Sequence, residues 1–287
     1  MSFDGEAAHW SIDLGSGVHV ALLQAGTFRS DAGTLFGPVP RFMWSSLVAE
    51  EIDARGALLQ ALNCLLVETP AGRVLVETGI GERLDERAVE RREVRGEWVL
   101  PTLRAAGFDP DTIDVVALSH LHFDHAGGLL TRTGVPAFPR ARIAAQRLEW
   151  SFALGDNPRL QASYEQADLR LIEERGLAGA VEGQAELIPG VEAIRTGGHS
   201  GGHQAVLVHG ADRPLAFLGD LCMRPWSANP RWVTAFDDFP LTSVEVKASL
   251  FRRAAEEAWT VILSHEPLRP VGRIVAEGER FRFAPLV

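Results

Sequence analysis

The sequence of 287 residues is poor in cysteine and in basic residues. Its two cysteines, Cys64 and Cys222, are too few for a disulfide framework, and because both lie in or beside apolar segments we expect buried free thiols. The 28 lysines and arginines stand against 38 acidic residues, a net charge of -10. This balance argues against a nucleic-acid partner, because contacts with phosphates need basic side chains. No apolar run approaches the roughly 18 residues that a membrane span requires.

The first ten residues lack the basic segment followed by an apolar segment that marks a secretory signal peptide. The hydrophobic fraction of 46% and the charged fraction of 23% are ordinary for a globular enzyme. A chain of this length suffices for one α/β domain over residues 1–287, whereas two independent domains would be small. We therefore expect a cytoplasmic, single-domain protein that binds neither membranes nor nucleic acid, with a homodimer as an open alternative.

Residues 120–125 read His-Leu-His-Phe-Asp-His and directly follow an apolar, strand-like segment over residues 114–118. Imidazole and carboxylate groups are ligands that zinc takes from proteins. Since alternate residues of an extended segment point to the same side, His120 and His122 can reach one metal ion. The last two residues of the motif lie where the chain turns and can face a second ion. Burying these groups without an ion would be costly, so the motif predicts a metal site.

Three further candidate ligands lie where other apolar runs end. His199 belongs to a glycine-rich turn, Asp220 ends the run Leu-Ala-Phe-Leu-Gly, and His265 ends the run Val-Ile-Leu-Ser. Open sheets of α/β proteins present functional groups at one edge in this way. Nearby His203 is expected to support the site or the core rather than to bind a metal. The remaining histidines, which we expect at the surface or in packing, are His9, His19 and His209.

The series His-x-His-x-Asp-His, Gly-Gly-His, Gly-Asp and a late His resembles the metallo-β-lactamase superfamily over roughly residues 18–275. The resemblance implies an α/β fold, an αβ/βα four-layer sandwich of two mixed β-sheets flanked by helices. It also implies a hydrolase with two divalent ions, expected to be zinc, with manganese, iron and cobalt as alternatives. The implied ligands are His120, His122 and His199 for one ion, Asp124, His125 and His265 for the other, and Asp220 as the bridge. Asp124 and Asp220 are then the candidate catalytic carboxylates.

Differences from other branches of the superfamily narrow the range of activities that the resemblance implies. β-Lactamases of the superfamily usually lack the complete Asp-His pair and the bridging aspartate, and the flavodiiron branch carries glutamate where this chain has His122. Members that process nucleic acids bring inserted domains and basic surfaces. Glu77 stands where the family often has an aspartate that supports the metal site from behind, and because glutamate is longer, either the backbone adjusts there or this support is altered. The resemblance thus implies hydrolysis of a small molecule.

Two apolar segments, residues 33–44 and 223–236, occupy places where loops of the family overhang the metals. Their larger side chains are candidates for the walls of an apolar substrate pocket. The alternative is that these side chains fill the core beneath the loops. The candidate pocket residues are Phe36, Met43, Trp44, Trp226, Trp232 and Phe236.

The sequence of the motif is most similar to that of acyl-homoserine lactonases, and this resemblance implies a lactone or small apolar ester as substrate. Those enzymes commonly carry a tyrosine shortly after the bridging aspartate, whereas Leu-Cys-Met follows Asp220 here and Tyr164 is the one tyrosine of the chain. A phosphotriesterase with a good leaving group is therefore the alternative. Less favoured are a thioester hydrolase, because only 22 residues follow His265, a persulfide dioxygenase with iron, and a non-catalytic metal-binding protein.

The pattern of apolar residues also predicts secondary structure. Helical spacing occurs over residues 84–106 and 157–175, and residues 243–258 predict an amphipathic helix with Ser243 as its N-cap. The predicted strands include residues 18–24, 63–68, 73–77 and 142–145, with further short strands over residues 186–218.

Overall fold

In a computed structural model that describes residues 10–96, 98–211 and 213–286, the chain forms two seven-stranded β-sheets. The strands of the first sheet are neighbours in chain order, and those of the second sheet are arranged in space from β14 to β8. The first sheet consists of β1 (Trp10–Asp13), β2 (His19–Asp31), β3 (Ala57–Thr69), β4 (Gly72–Val76), β5 (Val115–Ala117), β6 (Arg142–Gln146) and β7 (Ala178–Val181). The second consists of β8 (Gln184–Ile188), β9 (Val191–Arg195), β10 (Gln204–Val208), β11 (Leu215–Phe217), β12 (Thr260–Ile262), β13 (Val271–Glu277) and β14 (Arg280–Pro285).

Helices follow several of these strands. They are α1 (Ala32–Phe36), α2 (Arg41–Trp44), α3 (Glu86–Arg91), α4 (Val99–Ala105), α5 (Phe123–Ala126), α6 (Arg147–Ala153), α7 (Pro158–Gln161), α8 (Gln166–Glu174) and α9 (Pro240–Glu256). Short 3₁₀ turns cover Ser45–Val48, Pro110–Thr112, Gly127–Leu129, Gly219–Cys222 and Pro225–Ala228. Within the described ranges, no helix has the length and apolar character to cross a membrane.

Alternate residues of the central strands face different apolar layers. In β3, Leu62 and Leu66 pack with residues of α4, α6 and α8, whereas Leu65 and Val67 pack against strands of the second sheet. A third buried cluster lies between the second sheet and α9, which contributes Phe251. Both faces of each sheet are therefore covered, which explains why the strands have nearly continuous apolar sequences. The order helix, sheet, sheet, helix confirms the predicted four-layer sandwich.

The candidate ligands leave the two sheets at a shared edge. Strands β4, β5 and β6 run parallel in the first sheet, as do β11 and β12 in the second. The backbone N–H of Ala61 donates to the carbonyl of His265 at 3.0 Å, and Asn63 Nδ2 donates to the carbonyls of Leu263 and Glu266 at 2.9 Å. These bonds fix the turn after β12 against the first sheet, so side chains from both sheets meet at this edge.

The structure refines one predicted element and corrects another. The helical pattern over residues 84–106 forms two helices, α3 and α4, because Gly96 adopts a positive φ of 96° in the turn between them. The helix predicted from Ser243 begins at Pro240, a residue whose fixed φ suits the first helical position. Ser243 is therefore buried inside α9 rather than at its cap. The expectation of free, buried thiols at Cys64 and Cys222 is confirmed.

Candidate metal centre

The seven candidate ligands converge at the edge where the two sheets meet. Within each of three overlapping groups, one potential ligand atom from every residue lies within 4.8 Å of the others. These groups are His120 with His122 and His199, His120 with His125 and Asp220, and Asp124 with His125 and His265. The first and third groups have the same membership as the two ligand sets that the family resemblance implied. The structure therefore brings together side chains from four separate segments that can hold divalent metal.

Asp220 lies between the two sets. Its Oδ1 is 3.3 Å from Nε2 of His125 and 3.2 Å from Nε2 of His265. Its Oδ2 points the other way, 3.6 Å from Nε2 of His199. One carboxylate thus presents an oxygen to each set, the arrangement that a bridging ligand needs.

Four imidazoles are each held at Nδ1 by another part of the chain. His265 donates from Nδ1 to the carbonyl of Ala61 at 2.8 Å, and Nδ1 of His199 lies 2.9 Å from Oδ1 of Asp237. Nδ1 of His120 lies 3.0 Å from the Ser119 hydroxyl, and Nδ1 of His125 lies 3.3 Å from Oε2 of Glu77. Partners of this kind orient imidazoles toward a metal.

The other ring nitrogens provide a direct test of whether a metal fits. Among the described residues, Nε2 of His120, of His125 and of His265 is buried without a hydrogen bond of good geometry, although the last two lie 3.3 and 3.2 Å from Oδ1 of Asp220. Buried polar atoms are almost always satisfied, so three such atoms in one place require an explanation. A metal ion, which binds neutral imidazole nitrogen, is the partner that satisfies all three.

The charges of the site suit a cation. Burial lowers the pKa of His120 and of His122 well below the ordinary value, and neighbouring imidazoles lower it further, so both rings are neutral as metal ligands must be. Burial also disfavours the charged form of His125, but the carboxylate of Asp220 and others nearby outweigh it and raise its pKa well above the ordinary value, so a cation is favoured here and a metal ion would bind in place of the proton. Burial raises the pKa of Asp220, yet His265 and His125 together hold it well below the ordinary value.

Glu77 supports the centre from the first sheet. Its Oε1 accepts from the backbone N–H of Ser119 at 2.8 Å, while Oε2 faces His125. The backbone of Glu77 has a φ of 66°, a left-handed conformation that is unusual for a residue with a side chain. Glu77 thus faces His125 from an uncommon backbone conformation.

His203 contacts the centre through the backbone of Asp220. Its Nε2 accepts from the Asp220 N–H at 3.2 Å, so its Nδ1 carries the proton and donates to the Thr196 hydroxyl at 2.6 Å. Burial and the charge of His199 lower the pKa of His203 to about 3, which keeps the ring neutral. Of the remaining histidines, His19 and His209 are about half exposed, and His9 lies outside the described residues.

A cavity of about 150 Å³ opens onto these ligands. His122, Asp124, His199, Asp220 and His265 form part of its lining. The apolar part of the lining consists of Phe28, Leu35, Phe123, Ala162, Met223 and Phe236, and the polar part includes Ser30, Gln60, Arg92 and Ser163.

Of the six candidate pocket residues, the structure places Phe236 in this lining. Phe36 stacks on Trp44 with ring centroids 4.6 Å apart, and it also contacts Trp226 at 4.8 Å and Trp232 at 5.7 Å. These four rings pack on one another, since stacked and edge-on aromatic contacts are favourable, and they form a small core beside the cavity. Met43 is exposed. The aromatic segments thus fill a core beneath the loops, with Met223 of the same cluster reaching the cavity.

Asp237 and Arg92 were not identified from the sequence. Asp237 is buried and accepts at Oδ1 from the hydroxyl of Thr234 at 2.9 Å as well as facing His199. Arg92 lies in the turn after α3, and its guanidinium lies 4.4 Å from the centroid of the Phe123 ring. Neither residue belongs to a local motif, because both reach the site only through the tertiary fold.

Residues 60–265 match the family model that is described as "Metallo-beta-lactamase superfamily". An N-acyl homoserine lactonase of Bacillus thuringiensis is 32% identical over 157 residues, which cover 50% of this chain and 57% of that protein. The chain thus spans little more than half the length of this curated relative.

Two solved structures are similar along nearly their whole length. A probable metal-dependent hydrolase from Staphylococcus aureus has a TM-score of 0.85 and 24% identity, covering 96% of this chain and 98% of the other. AidC, a dizinc quorum-quenching lactonase in complex with a product, has a TM-score of 0.83 and 21% identity, covering 97% of each chain. At sequence identities of 24% and 21%, the similarity to these two structures shows that the fold is shared. Because the family model matches well over half of its residues, the chain belongs to the metallo-beta-lactamase superfamily.

Proposed function

We propose that this protein is a hydrolase that uses two divalent metal ions to open a lactone or a related ester with an apolar acyl part. The observation that carries the proposal is the convergence of seven potential ligands beside a cavity whose walls also include aromatic and aliphatic side chains. The similarity to an N-acyl homoserine lactonase supports a lactone in particular. A small molecule is the substrate that a cavity of this size can accommodate.

The two ions are assigned to the two outer ligand groups. His120, His122 and His199 would hold one ion, and Asp124, His125 and His265 the other, with Asp220 between them. Zinc is the metal that best suits a set of imidazoles and carboxylates without thiolates, and AidC is described as a dizinc enzyme. When bound, two such ions would supply an activated water at neutral pH and would polarise the ester carbonyl.

The side chains around the ions have three further roles in the proposed reaction. Asp220, with one oxygen toward each ligand group, is placed to accept the proton that the attacking water gives up. Phe28, Phe123 and Met223 provide apolar surface for an acyl chain and exclude water from it. Arg92, the one lysine or arginine in the described cavity lining, can donate to a carbonyl oxygen of the substrate.

Proton release tests the proposal, because opening a lactone at neutral pH produces an acid. Zinc-loaded protein should release protons from a long-chain acyl lactone, and the Asp220→Ala variant should not. Glu182→Gln, a change in a side chain that is 71% exposed and pairs with Arg147, serves as the matched control and should retain full turnover. If the loaded wild-type protein releases protons from neither lactones nor simple esters, the proposal is wrong.

A phosphotriester is the second candidate substrate. Leu221, Cys222 and Met223 follow Asp220, and the hydroxyl of Tyr164 donates to Glu149 at 3.1 Å. No tyrosine is therefore free to assist a leaving group in the described part of the site, and a substrate with an acidic aryl leaving group would need no such help. Turnover of an aryl phosphotriester together with no turnover of lactones would favour this candidate.

A further inference from the structure

Glu149 is a buried carboxylate that lies outside both proposed ligand groups. It belongs to α6 and is fully buried. Its Oε1 accepts from the backbone N–H of Leu121 at 3.0 Å and from the Tyr164 hydroxyl at 3.1 Å. Its Oε2 accepts from the Ser200 hydroxyl at 2.6 Å and from the backbone N–H of Gly202 at 3.0 Å. Four donors on two oxygens use the full acceptor capacity of an ionised carboxylate.

Three of these donors come from the two segments that carry the first ligand group, one of which also carries Asp124 and His125 of the second group. Leu121 lies between His120 and His122, and Ser200 directly follows His199. One carboxylate therefore connects the backbone segments on which all three imidazoles of this group are mounted. The connection is close-packed, since a Cβ atom at Gly202 would lie 2.2 Å from the backbone nitrogen of Glu149.

The fourth donor adds a contact with a ligand ring. The ring of Tyr164 packs edge-on against His122, with centroids 4.9 Å apart and planes at 64°. Its hydroxyl bond to Glu149 fixes the position of this ring, so Glu149 also restrains the orientation of His122.

The second ligand group is held by different contacts. Nδ1 of His265 donates to the carbonyl of Ala61, and Nδ1 of His125 lies beside Glu77. Each of the four donors to Glu149 belongs to a loop of the first group or to Tyr164. Asp124 and His125 of the second group follow His122 on the same segment, but none of the four donors to Glu149 lies beside them, so Glu149 contacts the first group more directly than the second.

We propose that Glu149 is a positioning residue for the group of His120, His122 and His199, and that it sets the metal affinity of that group selectively. The inference rests on the proposed function, because it assumes that two ions bind. A glutamine at this position keeps the size of the side chain but turns an N–H₂ group toward two of the four buried donors. Those donors lose their acceptor, so the two loops lose their common anchor.

Metal titration of the metal-free protein with Co²⁺, followed by its visible absorption, measures the two dissociation constants separately. The wild type should bind two equivalents. In Glu149→Gln one dissociation constant should rise about 10- to 100-fold, the range typical for the loss of a partner behind the ligands, while the other changes less than about threefold. Glu182→Gln, a surface carboxylate paired with α6 through Arg147, is the control and should match the wild type.

Two further variants, each lacking a ligand of one group, identify which ion is affected by the change at Glu149. With His265→Ala the remaining tight ion should be that of the first group, and adding Glu149→Gln should weaken it. With His199→Ala the remaining ion should belong to the second group, and adding Glu149→Gln should leave its affinity unchanged. If Glu149→Gln does not fold, Tyr164→Phe and Ser200→Ala, which each remove one donor and keep the carboxylate, should show the same selectivity with a smaller rise.

The outcomes are distinct. Selective weakening of the first group supports the positioning role. Equal weakening of both ions would indicate a general contribution to stability and would overturn the inference, as would unchanged affinities in a wild type that binds two ions. A wild type that binds no metal overturns the proposed function itself, and with it this inference.

Discussion

Asp237 holds the imidazole of His199 from the side away from the proposed metal, with Oδ1 2.9 Å from Nδ1. Burial raises the pKa of this carboxyl, but the hydrogen bond to His199 outweighs it and lowers the pKa. An anionic partner at Nδ1 fixes the ring and increases the basicity of Nε2, the atom that faces the centre.

We therefore expect Asp237→Asn to weaken binding of one metal ion by about 10- to 100-fold, because the amide provides no negative charge behind His199. Competition with a chromophoric chelator measures this change. Glu182→Gln, a change in an exposed carboxylate that pairs with Arg147 away from the ligands, is the matched control. Equal affinities in both variants would remove Asp237 from the support of the centre.

Arg92 is the residue through which the cavity can recognise an oxygen atom of the substrate. Its partly buried guanidinium lies against the Phe123 ring and has no ion pair among the described residues. Replacing it with methionine should raise KM for an acyl lactone by about tenfold and change kcat little, because a hydrogen bond to a charged donor contributes roughly 1.5–3 kcal/mol. The exposed neighbour Arg91→Met should have no effect on steady-state kinetics, and an unchanged KM in Arg92→Met would contradict this role.

At the scale of the elements, the aromatic cluster of Phe36, Trp44, Trp226 and Trp232 connects α1 and α2 to the loop that follows Asp220. Trp44 is buried in this cluster, and its indole N–H donates to the carbonyl of Val39 at 3.1 Å. The cluster also contains Met223, which forms part of the cavity wall. Its packing therefore supports one side of the cavity without lining most of it.

Trp44→Ala should lower the free energy of unfolding by about 3–5 kcal/mol, the usual cost of removing a large aromatic side chain from a core. Urea unfolding measures this loss. KM should change by a similar factor for short and long acyl substrates, because the tryptophan lies outside the cavity lining. Unchanged stability with a selective rise in KM for long chains would instead place Trp44 in contact with substrate.

The strands were easier to predict than the boundaries of the helices. β3, β4 and β10 have apolar sequences because both of their faces are covered, and this signal is visible without the structure. α9 begins at Pro240, and the residue before it, Phe239, makes no capping hydrogen bond with its side chain. The sequence therefore contains no capping motif that marks this start. The C-terminal hairpin of β13 and β14 was not predicted, although Arg280–Phe283 alternates charged and aromatic residues as a half-covered strand does.

At the scale of the whole molecule, the centre lies between the two sheets. His120 follows β5 of the first sheet, whereas Asp220 and His265 follow β11 and β12 of the second. Ions bound here would connect the two halves of the fold, so metal binding should contribute to stability as well as to chemistry.

Removing metal with a chelator should therefore lower the Tm. At a free metal concentration of 100 times Kd the stabilisation is about 2.7 kcal/mol, which corresponds to a shift of about 5 °C for a chain of this size. Thermal unfolding with and without added zinc measures the difference. His265→Ala should show a smaller shift because it removes a ligand of one ion, and a wild-type Tm that is independent of metal would contradict the link between binding and folding.

The whole molecule also explains which parts of the site could be predicted. The seven candidate ligands stand at the ends of apolar runs or in glycine-rich turns, so the sequence itself identifies them. Asp237, Glu149 and Arg92 lie in unremarkable local sequences and reach the centre only when the sheets and helices are assembled. The substrate pocket was harder still, because an aromatic residue in a core and one in a cavity wall have the same local sequence.

The most direct test of the account is anomalous diffraction at the zinc edge from crystals of the zinc-loaded protein. We predict two peaks about 3.5–4 Å apart, one among His120, His122 and His199, the other among Asp124, His125 and His265, with Asp220 between them. A single peak, or peaks bound by other side chains, would contradict the proposed dinuclear centre.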